Sequence, residues 1–295
     1  MLIPSVMKLM RVGWLTMKYL EAFENGKEKL MRAGVDEYAL DARLLLEYVC
    51  KTDHSALLAH PDRELTGEEE ALFDALTDRR ADREPLAYIL GSWDFMGITF
   101  KVNRSVLIPE QDSEFLVEEA LRHCSDGMKV LDLCTGSGCI ALSILRYTND
   151  TRAYCTDISE AALTVAKENA DTLGISDRCE FELTDLFPRD NEKYDIIVSN
   201  PPYIATDVIE SLAPEVKDHE PRLALDGSED GLIFYRRIID HAEEYLFSSG
   251  YLILEIGYDQ AEAVKGLLTD NGKFHEIEVV KDFSGNDRVV KACFY

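Results

Sequence analysis

The sequence predicts an α/β protein: a mostly parallel, Rossmann-like sheet with an antiparallel last strand, preceded by a small helical bundle. Three observations predict it. From about residue 113 onward, strand-like and helix-like segments alternate, the pattern of a parallel sheet covered on both faces. A glycine turn, Asp132-Leu133-Cys134-Thr135-Gly136-Ser137-Gly138, follows the first of those strands, at the edge where open α/β sheets bind ligands. Between Tyr19 and Arg83, in contrast, the spacing is helical, without strand alternation or tight hairpin signals.

In the helical region Leu40, Leu44, Leu45, Tyr48 and Val49 recur at helix spacing and predict one apolar face. Thr66-Gly67-Glu68-Glu69 has the capping-box form that opens a helix, and Glu84-Pro85 predicts where the last helix ends. In the next stretch Ile98-Thr99-Phe100-Lys101-Val102 alternates and Gly91 and Gly97 punctuate it, so a β-hairpin is expected in the linker. Then come helix 113–124, strand 130–133, helix 140–147, strand 153–157, helix 160–173, strand 180–183, strand 195–199, helix 232–246 and strand 251–256. The tail reads as two strands, 276–280 and 289–294, joined by Phe283-Ser284-Gly285-Asn286-Asp287. The expected organisation is an N-terminal extension (1–16), a helical domain (17–90), a linker (91–108) and an α/β domain (109–295).

A chain of 295 residues with 46% hydrophobic and 29% charged residues suits a globular protein of two domains. No apolar run reaches the ~18 residues of a membrane span. The first residues hold short apolar clusters broken by Lys8 and Arg11, without a cleavage site, so a cytoplasmic protein is expected. Seven scattered cysteines with no CxxC pair predict reduced thiols and no metal site. The net charge of −25 is uneven: residues 1–90 carry 12 Lys and Arg against 17 Asp and Glu, residues 91–295 carry 19 against 39. Such an acidic half repels a phosphate backbone, which argues against a nucleic-acid substrate. It would attract a basic protein surface, or simply keep the chain soluble.

Gly136 and Gly138 allow backbone to approach a ligand closely, although turns of this kind occur in many α/β proteins. Asp157 ends the next strand, where an acid accepts both hydroxyls of an adenosine ribose or, alternatively, caps the helix that starts near Ser159. Ala141 stands where a dinucleotide-binding turn has its third glycine. A cofactor held by ribose and adenine without a phosphate grip fits S-adenosylmethionine better than NAD. The second motif is more specific. Strand 195–199 runs straight into Asn200-Pro201-Pro202-Tyr203. Two prolines fix φ and remove two donors, leaving the carbonyls of Asn200 and Pro201 as pinned acceptors. Asn200 adds a side-chain carbonyl and Tyr203 an aromatic face, an array suited to a planar NH2 group.

Asn200-Pro201-Pro202-Tyr203 with the upstream glycine turn resembles class I methyltransferases that modify amide or exocyclic amino nitrogens. Further stretches match one family among them. They are Arg83-Glu84-Pro85-Leu86-Ala87-Tyr88-Ile89-Leu90-Gly91, Leu107-Ile108-Pro109 with Asp112 and Glu114, Glu220-Pro221-Arg222-Leu223-Ala224-Leu225-Asp226-Gly227, and Gly285-Asn286-Asp287-Arg288-Val289-Val290. Through them the chain from about Met17 to Tyr295 resembles the release-factor glutamine methyltransferase family (PrmC, also called HemK). The resemblance implies a class I methyltransferase sheet behind a helical substrate-recognition domain. It implies methyl transfer from S-adenosylmethionine to the glutamine of the Gly-Gly-Gln motif of class 1 peptide chain release factors.

By resemblance, Cys134, Thr135, Gly136, Ser137, Gly138, Asp157, Asp185, Leu186 and Asn200 hold the cofactor. Asn200, Pro201, Pro202 and Tyr203 hold the substrate amide, with Asn200, Pro201 and Tyr203 carrying the chemistry. Phe100 is either a wall of that pocket or ordinary core. A ribosomal-protein glutamine methyltransferase and, less so, a DNA or RNA amino-methyltransferase are the alternatives. Two features depart from the family. Its members usually begin near Met17, so residues 1–16 are expected to be dispensable. Where it commonly has Leu-Ile-Pro-Arg, this chain has Glu110, at a position that either contacts the ligands or bridges the two domains.

Overall fold

A computed structural model describes residues 17–189 and 192–295; the expected extension 1–16 lies outside the described residues. The chain divides into two compact units, the second running from Leu90 to Tyr295.

The first unit is helical: α1 (Tyr19–Arg32), α2 (Tyr38–Cys50), α3 (His54–Ala59) and α4 (Gly67–Ala81), with α5 (Leu86–Leu90) at the boundary. Thr66 caps α4 as predicted, its hydroxyl accepting from Glu69 N while the Glu69 carboxylate accepts from Thr66 N. Gly26 lets α1 approach α4 closely, since a Cβ there would stand 2.7 Å from the Phe73 ring. The apolar face of α2 is rotated from the predicted one. Leu45, Val49, Ala42 and Leu46 are buried, whereas Leu40 and Tyr48 are exposed. The reason is a buried ion pair: Asp41 receives Arg80 of α4 at 2.7 Å, turning the polar start of α2 inward.

The second unit opens with an antiparallel hairpin, β1 (Ser92–Phe95) and β2 (Ile98–Lys101). Then follow α6 (Glu114–His123), β3 (Lys129–Leu133), α7 (Cys139–Tyr147), β4 (Arg152–Asp157), α8 (Glu160–Leu173), β5 (Cys179–Leu183) and β6 (Tyr194–Ser199). Two short helices, α9 (Pro214–His219) and α10 (Arg222–Leu225), precede α11 (Ile233–His241), β7 (Leu246–Glu255), α12 (Ala261–Asn271), β8 (Phe274–Lys281) and β9 (Asp287–Phe294). The strand order is β5-β4-β3-β6-β7-β9-β8, parallel except that β9 runs antiparallel to both of its neighbours. This is the predicted sheet with its reversed last strand.

Alternate residues of the strands feed two cores. Val130, Ile196, Val198 and Ile253 join α6, α7 and α8; Leu131, Leu133, Ile197, Leu252 and Leu254 join α11 and α12. One expected boundary is wrong. The helix predicted over 232–246 stops at His241, and Leu246 pairs with Tyr194 as the start of β7. Apolar spacing alone did not mark the point where the sheet claims these residues. All seven cysteines are free thiols. Among the described residues no helix is long and apolar enough to cross a membrane.

Candidate functional site

β3 and β6 are neighbours in the sheet, with Leu133 opposite Ser199. The turns that follow them therefore open side by side at the carboxyl edge. Between them lies a cleft of about 250 Å³, lined among others by Ile108, Gly136, Asp157, Asn200, Pro202 and Arg237.

The first turn is built from left-handed backbone: Cys134, Gly136 and Gly138 have φ of 61°, 56° and 81°. The two glycines serve different ends. A Cβ on Gly136 would meet nothing within 4 Å, so this residue leaves the cleft open. A Cβ on Gly138 would press on Leu142 at 3.0 Å and Ala166 at 3.2 Å. Gly138, expected to touch a ligand, instead lets α7 pack; Cys134, Thr135, Gly136 and Ser137 line the cleft. Beneath the turn, buried Asp132 accepts from the Thr135 hydroxyl at 2.7 Å while its Oδ1 has no partner. Burial raises this carboxyl to about 7.

Asp157 ties β4 to the turn. Its Oδ2 accepts from Gly136 N at 2.9 Å and its Oδ1 from Ser159 N at 2.8 Å. Burial raises its pKa, opposed by the backbone amides of Ser159, Gly136 and Ile158. The helix-cap alternative falls to Ser159, whose hydroxyl accepts from Ala162 N. A carboxylate has about four acceptor positions, so Asp157 keeps two for a ligand. Leu186 (φ 69°) lines the same wall, its carbonyl accepting from the Thr156 hydroxyl at 2.5 Å. Asp185 also lines it but is paired with Arg237 at 2.8 Å, a partner the sequence did not indicate.

The second turn is clamped from outside. Gln260 donates to the Tyr203 carbonyl at 2.9 Å, while its Oε1 accepts from Gly257 N at 3.0 Å. The strip 225–231 crosses the turn: Ile204 N donates to Leu225 O, Gly227 N to Ile204 O and Thr206 N to Ser228 O. Close passage there requires glycine, because a Cβ on Gly231 (φ 71°) would stand 2.3 Å from the Tyr203 carbonyl oxygen. Among the described residues no donor reaches the carbonyls of Asn200 or Pro201, as the proline pattern predicts. Asn200 Nδ2 donates to the Ser113 hydroxyl at 3.1 Å. Asn200 and Pro202 line the cleft; Pro201 is buried, and Tyr203 is half-buried against the second core.

Phe100 is not among the residues that line this cleft. It is 0% exposed in the first core, edge-on to Phe95 at 6.2 Å. Its place on the inward face of a four-residue hairpin strand explains why. Glu110, in contrast, lines the cleft, and although its side chain is exposed, crowding by the walls and then Asp112 raise its pKa. Nearby Glu220 accepts from Ile108 N at 3.2 Å, and burial pushes it up to about 7. Ser113, Ile158, Leu223, Phe234 and Arg237 also line the cleft; none lies in a motif whose role the sequence announced.

Residues 21–91 match the family described as PrmC N-terminal domain, and residues 109–216 the methyltransferase small domain. The release factor glutamine methyltransferase of Clostridium acetobutylicum is 42% identical over 284 residues, spanning 94% of this chain and 98% of its own length. That of Clostridium botulinum is 40% identical over 271 residues, 90% of this chain and 95% of its own. A solved methyltransferase from Pyrococcus furiosus superposes with a TM-score of 0.50 at 16% identity, over 68% of this chain and 90% of that one, a likeness of fold alone. With relatives this similar along nearly its whole length, and with both turns assembled on one sheet edge, the chain belongs to the release factor glutamine methyltransferase family.

Proposed function

We propose that this protein transfers a methyl group from S-adenosylmethionine to the side-chain amide nitrogen of a glutamine, that of the Gly-Gly-Gln motif of class 1 peptide chain release factors. The observation that carries this reading is the pair of adjoining turns: an open, left-handed backbone turn beside an Asn-Pro-Pro-Tyr turn with unused carbonyl acceptors.

The residues present suit the cofactor. Gly136 leaves the cleft side of its backbone open, and Asp157 retains two acceptor positions for ribose hydroxyls. Ile158 and Leu223 offer exposed apolar surface for a flat base. In this reading Cys134, Thr135, Ser137, Asp185, Leu186 and Asn200 complete the contacts, while Gly138 shapes the turn from behind. The bound cofactor supplies an already activated sulfonium methyl.

The difficulty then lies with the acceptor, because an amide nitrogen's lone pair is delocalised into its carbonyl. Asn200 and Pro201 answer it by accepting the two N–H bonds, Asn200 through its side-chain oxygen and Pro201 through its main chain. Held so, the nitrogen is oriented toward the cleft and the charge that grows on it is stabilised. Orientation of this kind is worth up to ~7–11 kcal/mol when alignment is ideal. Pro202 stiffens the array and Tyr203 supplies an apolar flank. No strong base is needed until the product sheds its proton.

The test is mass spectrometry of purified release factor after incubation with the enzyme and S-adenosylmethionine. A gain of one methyl, mapped by fragmentation to the Gly-Gly-Gln glutamine, is expected. Methylation of a ribosomal protein, tRNA, rRNA or DNA without modification of release factor would overturn the substrate assignment.

A further inference from the structure

Phe283 is the most exposed large apolar residue among the described ones, 95% exposed at the turn between β8 and β9. Single apolar side chains on a surface are ordinary, so exposure alone says little. The loop around this one is built to hold it. The Asp282 carboxylate accepts from Asn286 N at 2.8 Å, from Asn286 Nδ2 at 2.9 Å and from Arg288 Nε at 3.0 Å. Asp282 N donates to Asn286 O at 2.9 Å, and Gly285 takes the left-handed φ of 89° that closes the turn. The ring itself stands edge-on to Phe115 of α6, with centroids 4.9 Å apart. A flat apolar group presented on a braced loop loses little freedom when something binds it.

Position ties the ring to the cleft. Arg288, which closes the loop, also pairs with Asp112 at 2.8 Å. Asp112 lies in the short 3-10 turn Gln111–Ser113, and Ser113 receives Asn200 Nδ2 at 3.1 Å. Arg288 O in turn accepts from Ile256 N at 2.8 Å, and two residues further on Tyr258 is 67% exposed. Beyond Tyr258 comes Gln260, which grips the Tyr203 carbonyl. Phe283 and Tyr258 thus stand on two segments that brace the Asn-Pro-Pro-Tyr turn and its neighbours. The charge around them is one-sided. Both loop cations are engaged, Lys281 by Asp287 and Arg288 by Asp112 and Asp282. The side chains of Glu118, one helical turn from Phe115, and of Asp259 are exposed and pair with nothing among the described residues.

We propose that Phe283 and Tyr258, flanked by Glu118 and Asp259, form a docking surface for a basic segment of the substrate polypeptide, next to the glutamine that enters the cleft. This deepens the glutamine-methylation reading and rests on it. The aromatic faces take the alkyl stems and cations of Lys or Arg side chains, and the unpaired carboxylates take their charge. The same charge argues against other occupants. A second copy of this chain, at −25, would bring acid against acid. A phosphate backbone would be repelled likewise. Neither the glycine turn nor Asp157 contributes to the surface, so it acts on capture of the polypeptide and leaves cofactor binding and the methyl-transfer step alone.

The experiment is steady-state kinetics of the full chain with purified release factor. Phe283→Ala should raise KM for release factor about fivefold or more, with kcat and the Kd for S-adenosylmethionine each within about twofold of wild type. Its melting temperature should hardly move, because the ring is bare in the free enzyme. Phe283→Tyr, which keeps a flat ring, should stay close to wild type. Glu118→Lys and Asp259→Lys should each raise KM at low ionic strength. That penalty should shrink as salt is raised from ~50 to ~500 mM, whereas the penalty of Phe283→Ala should persist. A KM for Phe283→Ala within about twofold of wild type, or a loss confined to kcat, would overturn the proposal. So would a wild-type dimer in sedimentation that Phe283→Ala dissociates, which would give the surface to a second copy. A wild-type enzyme that neither binds nor methylates release factor would instead overturn the functional reading, and the proposed occupant with it.

Discussion

The two turns that flank the cleft are made in opposite ways. The turn after β3 is held from within: three of its five residues from Cys134 to Gly138 take left-handed backbone, and Asp157 ties it to the next strand through a single amide. Nothing presses on the open side of Gly136. The turn after β6 is held from without. Its prolines supply few bonds of their own, so Gln260 and the strip 225–231 grip it, with Gly227 and Gly231 passing within contact of the Tyr203 backbone. The difference matches what each must do. A turn that receives a whole cofactor needs free backbone and free lone pairs, whereas a turn that aligns one amide against a methyl needs acceptors that do not move.

The largest expected effect tests that contrast at its centre. Asn200→Ala should reduce kcat at least ~100-fold, the usual scale for removing one oriented transition-state contact. Calorimetry with S-adenosylmethionine should show a far smaller change, because the first turn is left intact. Comparable losses in both quantities would mean that the two turns are not functionally separate.

Next in size is a pair of glycine substitutions. Gly231→Ala places a Cβ 2.3 Å from the Tyr203 carbonyl oxygen on a backbone with φ of 71°. The conformation alone costs ~1–3 kcal/mol and the collision must add to it, so thermal melting should fall and turnover with it. Gly136→Ala meets no neighbour and carries only the left-handed cost of ~1–2 kcal/mol. Its melting temperature should fall less while cofactor affinity suffers more. If Gly231→Ala proved the milder change in stability, the outside grip on the second turn would be an illusion.

Legibility in the sequence follows the same division. The first turn could be read because its parts are consecutive: glycines, strand and acid all lie between Leu131 and Asp157. The Asn-Pro-Pro-Tyr acceptors could be read because proline chemistry is local. Their supports could not. Gln260 reaches Tyr203 across 57 residues, and Ser113 reaches Asn200 across 87, with no periodicity or motif connecting them. Phe100 stayed open between pocket wall and core for a different reason, since alternation in β2 says that it faces inward but not whether inward is cleft or core. Glu110 belongs to the cleft wall, which favours ligand contact over a role as a bridge.

Asp157→Ala should weaken S-adenosylmethionine binding by ~1.5–3 kcal/mol, about 10–100-fold in Kd, and leave kcat at saturating cofactor closer to wild type. Asp157→Asn discriminates further. The amide can still accept, but it cannot hold Gly136 N, Ser159 N and two ribose hydroxyls at once. It should fall between Ala and wild type. Equal affinities for all three would reduce Asp157 to a brace for the turn.

The smallest effect concerns what lies behind each turn, where the two regions agree. Each rests on a buried carboxyl with one orphaned oxygen: Asp132 behind the first and Glu255 behind the second. Burial raises both, Asp132 from 3.8 to about 7 and Glu255 from 4.5 to about 8. A raised carboxyl means that the folded state holds a proton the unfolded chain has already lost, so stability falls as pH rises across that interval. The contribution of Asp132 is complete below its unfolded value and gone once pH passes about 7; that of Glu255 persists to about 8. The groups around Glu255 shape its step: Glu110 and Asp112 raise it further while Arg288 and the Ser113 hydroxyl oppose them. Tyr203, Tyr235 and Cys139 share its field and remain neutral throughout, their own pKa values raised by burial. Thermal melts between about pH 5 and pH 9 should therefore decline with rising pH. Glu255→Gln should flatten the upper part of the decline and Asp132→Asn the lower part. A decline untouched by either substitution would assign it to other carboxyls, Glu220 first among them, and would leave the two turns without their common support.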